Sequence, residues 1–232
     1  MKAILKRSLF LLVALFMVAA CSQNNDPTPP PSNANGGSTD TNGEESPEPD
    51  TNEPDEEEEI VLLDYFMPDG SKAHYQGEGN EFAELDIETY HLNEQYVVID
   101  ENNGGSFIRK IYKVTDNKIA VVSEEMIDLN EDLPTIEELE ALDEQSVFLE
   151  LPLEVGQTID DWTIIDMDAT VETPFQTFND AIVLEMVSDG FTNTKYIVQD
   201  YGEVLRETIM ESEDEGDEDF IVRSSLKSVE EN

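Results

Sequence analysis

The sequence predicts an all-β domain with one short helix, built on an antiparallel sheet. Three observations carry that prediction. Apolar and polar residues alternate at period two through much of residues 60–232, the pattern of a strand with one buried and one wet face. Turn-forming groups of Asn, Asp and Gly interrupt the alternation at short intervals, as antiparallel hairpins require. One stretch alone carries a helix-start signal.

The elements follow in order. Ala83, Leu85, Ile87 and Thr89 alternate with Glu84, Asp86 and Glu88, which gives a half-buried strand. Tyr96 to Ile99 is the next, ended by Asn102-Asn-Gly-Gly105, whose glycines accept positive φ. Phe107 to Val114 runs back, with Ile108 beside Arg109 and Lys110. The tight turn at Asp116-Asn117 leads to Ile119–Val122. Pro134-Thr135-Ile-Glu-Glu138 has the form of a capping box, Thr135 as cap and Glu138 three residues on. Ile136, Leu139 and Leu142 then fall on one side of a short helix that covers an end or a face of the sheet. Glu137 and Glu138 suit its first turn through the helix dipole. Further strands are predicted at 146–151, 162–172, 178–188, 192–199, 202–211 and 219–228, with turns at Asp189-Gly190 and around Asp200 to Gly202.

Ahead of this domain the chain changes character twice. Residues 1–20 begin with Lys2, Lys6 and Arg7, continue in the apolar run Leu9 to Ala20 and contain no acid. That is the layout of a secretory leader, and the run falls short of the ~20 residues a spanning helix needs. It ends at Val18-Ala-Ala20 directly before Cys21, the single cysteine of the chain. The arrangement resembles a bacterial lipoprotein signal with a lipobox. The resemblance implies cleavage between Ala20 and Cys21 and a diacylglyceryl (palmitate-type) lipid on the sulfur. Two acyl chains anchor a protein stably where one does not. The expected location is therefore extracytoplasmic, on the outer face of the cell membrane.

Residues 21–59 are the expected tether after the lipidated cysteine. From 22 to 59 there are seven prolines, twelve acids, no base and no aromatic residue. Such a stretch cannot bury enough apolar surface to offset the entropy of ordering. As a flexible coil it averages ~35 Å end to end.

Residues 60–232 hold 43 acids against nine bases, a formal charge of −34. Nucleic acid is excluded as a partner, because its phosphates need Lys and Arg. The acidity serves solubility. The membrane enters through the lipid; the other expected partners are a hydrophobic or peptide ligand, or an envelope protein.

Leu62-Leu-Asp-Tyr-Phe-Met-Pro68, Tyr75-Gln-Gly-Glu-Gly-Asn-Glu-Phe82 and the Asn102–Gly105 turn resemble the opening of uncharacterised lipoproteins from Gram-positive spore-forming bacteria. Leu151-Pro-Leu-Glu-Val-Gly156, Trp162, Val171-Glu-Thr-Pro174, Phe178, Tyr196 and Tyr201-Gly-Glu-Val-Leu205 follow in the order of the same pattern. The chain departs from it at Pro174-Phe-Gln-Thr-Phe178, which lacks a glycine, and at Val198-Gln-Asp-Tyr-Gly202. The resemblance implies a strongly curved antiparallel sheet, an open half-barrel like the lipoprotein-carrier folds. It carries no assigned activity, so no site residue is transferred.

Chemistry is sparse. His74 and His91 lie in predicted strands without a nucleophile beside them, and no Gly-x-Ser-x-Gly occurs. Gly77-Glu-Gly79 precedes a strand rather than a helix, unlike a dinucleotide loop. Asp128-Leu-Asn-Glu-Asp132 opens like a calcium loop, but Leu133 stands where the turn glycine belongs and Leu139 where the bidentate glutamate belongs. Glu211 to Asp219 reads as a solvated hairpin loop turned at Gly216, with Asp214, Asp217 and Asp219 as calcium candidates. Asp160-Asp161 beside Trp162 suggests a sugar site, yet neighbouring strand residues point to opposite faces, and Trp162 reads as core. The resulting expectation is a lipid-anchored binding or interaction module with no catalytic residue and no cofactor beyond the lipid. The alternatives are a cell-wall-directed enzyme with an unrecognised acidic site and a calcium-responsive structural protein.

Overall fold

The structure is a computed structural model and describes residues 60–212 and 218–230. The leader, Ala20, Cys21, the tether, Asp214 and Asp217 lie outside the described residues. Twelve strands make one antiparallel sheet: β1 Lys72–Glu78, β2 Leu85–His91, β3 Tyr96–Asn102, β4 Phe107–Val114, β5 Lys118–Met126, β6 Ser146–Glu150, β7 Thr158–Ile159, β8 Trp162–Glu172, β9 Thr177–Ser188, β10 Phe191–Val198, β11 Gly202–Met210 and β12 Phe220–Glu230. The spatial order is β6-β5-β4-β3-β2-β1-β12-β11-β10-β9-β8-β7. Strands consecutive in sequence therefore pair, except β6 and β7 at the two ends of the order, and the first strand pairs with the last. The expected all-β class and curved antiparallel sheet are found.

The curvature runs further than a half-barrel. The two outermost strands, β6 and β7, approach each other and are bridged by side chains: Val147 N donates to Asp160 Oδ2 at 2.7 Å, and Gln157 Nε2 to the Glu150 carbonyl at 2.9 Å. The seam lacks a backbone ladder but brings the sheet close to a closed barrel.

Local chemistry explains the hairpins. Asn102 Oδ1 accepts from Gly104 N at 2.9 Å, and Asn103 Oδ1 accepts from Gly105 N and Ser106 N, so side-chain oxygens satisfy the turn backbone. Gly77 admits the return of the chain after β1: a Cβ there would lie 2.2 Å from the Glu84 amide nitrogen.

Two buried clusters meet around Ile99. One gathers Leu62, Phe66, Val97, Tyr112, Ile119, Leu149, Ile164, Leu184 and Ile197; the other Met67, Tyr75, Leu85, Ile87, Phe178, Val204 and Leu226. The opening segment, with a 3-10 turn at Leu62–Tyr65, contributes Leu62, Phe66 and Met67 and stoppers one end of the barrel. Its carbonyl at Asp64 accepts from Asp200 N in the β10–β11 turn.

The capping box forms as expected: Thr135 Oγ1 accepts from Glu138 N, and Glu138 Oε2 accepts from Thr135 N at 2.8 Å. The helix α1 spans Ile136–Glu140 and lies against a sheet face, where Leu139 joins Tyr96, Val98, Ile111 and Val122. Leu142 falls beyond its end and is 40 % exposed, so it does not extend the buried side as the spacing suggested.

Candidate functional site

Period two sends Val97, Ile99 and Glu101 of β3 to one face, inward, and Tyr96, Val98 and Asp100 to the other. On β4, Lys110 shares the inward face with Tyr112, while Arg109 shares the outward face with Ile111. Across the interior, Arg206 on β11 reaches Glu101: its Nη1 and Nη2 donate to Oε1 and Oε2 at 3.0 and 2.9 Å. Lys110 Nζ adds a contact to Glu101 Oε2 at 3.3 Å.

A bulge recruits the second acid. The β10–β11 register passes from Tyr196↔Leu205 to Ile197↔Glu203, leaving Val204 as the extra residue. One extra residue reverses the alternation, so Glu203 comes to the same face as Arg206 and accepts from its Nε. Tyr75 OH donates to the Glu203 carbonyl at 2.6 Å.

Lys195 completes the group. It stands directly opposite Arg206 in the β10–β11 register. Like charges in that position oppose each other. Its nearest carboxylate oxygen, Glu203 Oε2, is 3.7 Å away, beyond hydrogen-bond reach. Its other neighbours are ring faces: Trp162 with the centroid at 4.6 Å and Phe148 at 5.8 Å, an arrangement that favours a cation. Among the described residues no side chain takes up its three donors.

Electrostatics follow from this geometry. Burial opposes the charge on Glu101, but Arg206 and Lys110 outweigh it and hold its carboxyl at about 2. Burial likewise opposes the charge on Glu203, and Arg206 with both lysines lowers its pKa. Both acids are therefore ionised and committed to Arg206 at neutral pH, so neither can donate a proton. Burial lowers the pKa of Lys195 despite Glu203, and burial raises those of Tyr75 and Tyr112.

Two adjoining spaces are left. One, about 50 Å³, lies among Tyr75, Ile99, Tyr112, Glu203 and Arg206. The other, about 140 Å³, lies among Val121, Ser146, Trp162 and Leu184. Lys110, Tyr112, Phe148 and Lys195 line both.

The residues singled out from sequence lie elsewhere, except Trp162. His74 Nδ1 sits 2.9 Å from Asp86 Oδ1 on the outside, and His91 Nε2 sits 2.8 Å from the Met67 carbonyl. Trp162 is at the edge of the core rather than within it, and its ring underlies Lys195. Asp160 and Asp161 are spent on the β7–β8 turn, where Asp160 serves the seam. In the calcium-like loop, the Glu131 and Asp132 carbonyls accept from Arg109, so a guanidinium occupies the inner side. Asp219 Oδ1 accepts from Ser212 N at 3.0 Å. Among the described residues no three His, Cys, Asp or Glu side chains gather as metal ligands. Sequence reasoning missed Glu101, Lys110, Lys195, Glu203 and Arg206. The available signal was three of the nine bases falling on inward strand positions of an acidic domain.

Fold and site together define a nearly closed, up-and-down antiparallel barrel with a stoppered end and a charged, aromatic-lined interior. No family model matches the chain, and no curated protein matches it. Among solved structures it is similar to a Bacteroides fragilis protein described as a candidate exported protein with a YmcC-like fold, at 10 % identity and a TM-score of 0.43, covering 72 % of this chain and 98 % of that one. A likeness that low transfers neither activity nor location.

Proposed function

We propose that this chain is an extracytoplasmic lipoprotein, anchored through a lipidated Cys21, that binds a small ligand inside its barrel without transforming it. The observation that carries the binding reading is Lys195: a cation with unfilled donors, held over an indole at the border of two unfilled spaces. Lys195 is only partly buried, its side chain 28 % exposed, yet a protein of this acidity has carboxylates in surplus to pair it at hydrogen-bond distance. The nearby acids answer to Arg206 instead. The absence of a free proton donor among Glu101 and Glu203 favours holding a ligand over catalysis on it.

The anchoring part rests on the leader and the single cysteine. Protein purified from its host and sprayed under native conditions is expected to carry a small retained molecule, and to lose it on denaturation. Cys21→Ser is expected to move the protein from the membrane fraction to the soluble one. A bare protein mass would remove the binding reading, and membrane retention of the serine variant would remove the anchor.

A further inference from the structure

The chemistry around Lys195 goes further than an unspecified ligand. We infer that the site takes a monocarboxylic acid whose body is a single six-membered ring, its carboxylate on Lys195 and Lys110 and its ring against Trp162 and Phe148. This rests on the binding reading above and specifies its ligand.

Charge gives the sign. The interior group has three cations, Lys110, Lys195 and Arg206, and two carboxylates, Glu101 and Glu203. Arg206 engages both carboxylates, and Lys110 shares Glu101. One positive charge is left over, on Lys195. A single carboxylate neutralises it and accepts two of its donors. Glu124 also lines the larger space but is exposed, where water screens it.

Size gives the body. The larger space is about 140 Å³, close to the ~150 Å³ of an apolar cavity that accepts benzene. Val121, Phe148, Trp162 and Leu184 give it apolar walls for a ring, while Lys110, Glu124, Ser146 and Lys195 make most of its exposed lining polar, so a body with an acid group suits it better than a bare hydrocarbon. The 50 Å³ beside it leaves room for the acid group or its water, not for a second ring. A long fatty-acyl chain exceeds the volume of the pair.

Register gives a reason independent of volume. Lys195 and Arg206 face each other as like charges, and burial works against the Lys195 ammonium. A residue chosen for folding alone would be apolar here. Lys195→Met is therefore expected to fold at least as stably as the parent, which makes it a clean probe.

Trp162 is the single tryptophan of the chain, so its emission reports on the site alone. The full chain is titrated with cyclohexanecarboxylate, which does not absorb with indole, and with cyclohexanecarboxamide and cyclohexylmethylamine as neutral and cationic counterparts at equal ionic strength. Calorimetry runs in parallel. Saturable binding of the acid, at least about tenfold tighter than the amide, is expected. Lys195→Met is expected to remove that preference and Lys195→Arg to restore most of it. Equal binding of acid and amide, or preference for the amine, overturns the ligand class, as does an acid preference that survives Lys195→Met. No binding of any of the three also overturns it. In each case a retained molecule on host-purified protein still separates this failure from failure of the binding reading.

Discussion

Two ion pairs stand back to back on β3 and β4, and they do different work. Asp100 and Arg109 face outward; Glu101 and Lys110, the next residue on each strand, face inward. Four of the outward arginine's five N–H donors are taken up. Its Nε and Nη2 take both Asp100 oxygens at 2.7 and 2.8 Å, and Nη1 and Nη2 take the Asp132 and Glu131 carbonyls. It clamps the 127–134 segment to the sheet. The inward group uses Arg206 to join β3 to β11 across the interior and leaves Lys195 without a hydrogen-bond partner among the described side chains. The outward network is a fastener; the inward one, incomplete and beside an unfilled space, is the one we propose binds a ligand.

The sharpest way to break this contrast is Arg206→Met. It leaves Glu203 with Lys195 at 3.7 Å and Glu101 with Lys110 alone, so a loss of about 3–5 kcal/mol is expected in urea unfolding. A loss below about 1 kcal/mol would show that the inward group does not brace the barrel. Next comes acid. The folded-state pKa of Glu101, about 2, lies below its ordinary 4.5. Its contribution is thus complete above about 4.5 and fades as pH falls toward 2, on the order of 3 kcal/mol. Glu101→Gln is expected to lower stability at pH 7 and flatten the acid limb; an unchanged slope over that window would refute the assignment. Smallest is Arg109→Met, at about 2 kcal/mol, with faster amide exchange across 128–133. Unchanged exchange there would mean that something other than the guanidinium holds the segment.

Most of the fold was legible because alternation and turn chemistry are local. Strands at 96–99, 107–114 and 162–172 and the Thr135 cap all follow from neighbours in sequence. The two-residue β7 escaped because two residues make no pattern, and Leu142 misled because the helix stops at Glu140. The site was not legible for a physical reason. Glu101 and Arg206 meet across the interior, from strands 105 positions apart, and Glu203 joins them only through the bulge at Val204. A one-residue irregularity reverses facing, and nothing in Gly202-Glu-Val-Leu-Arg206 announces it. Lys195, between Thr194 and Tyr196, reads as the polar half of an ordinary alternation until its facing is known.

The strand order has a consequence for assembly. Among the described ladders every one but β1–β12 joins consecutive strands, so each half of the barrel can zip mostly from short hairpins, the long 127–145 connection between β5 and β6 apart. The exception pairs Lys72 with Glu230 and must await both halves. Closing so long a loop costs more chain entropy than closing any of the hairpins, so the stitching of the first strand to the last is expected to follow them.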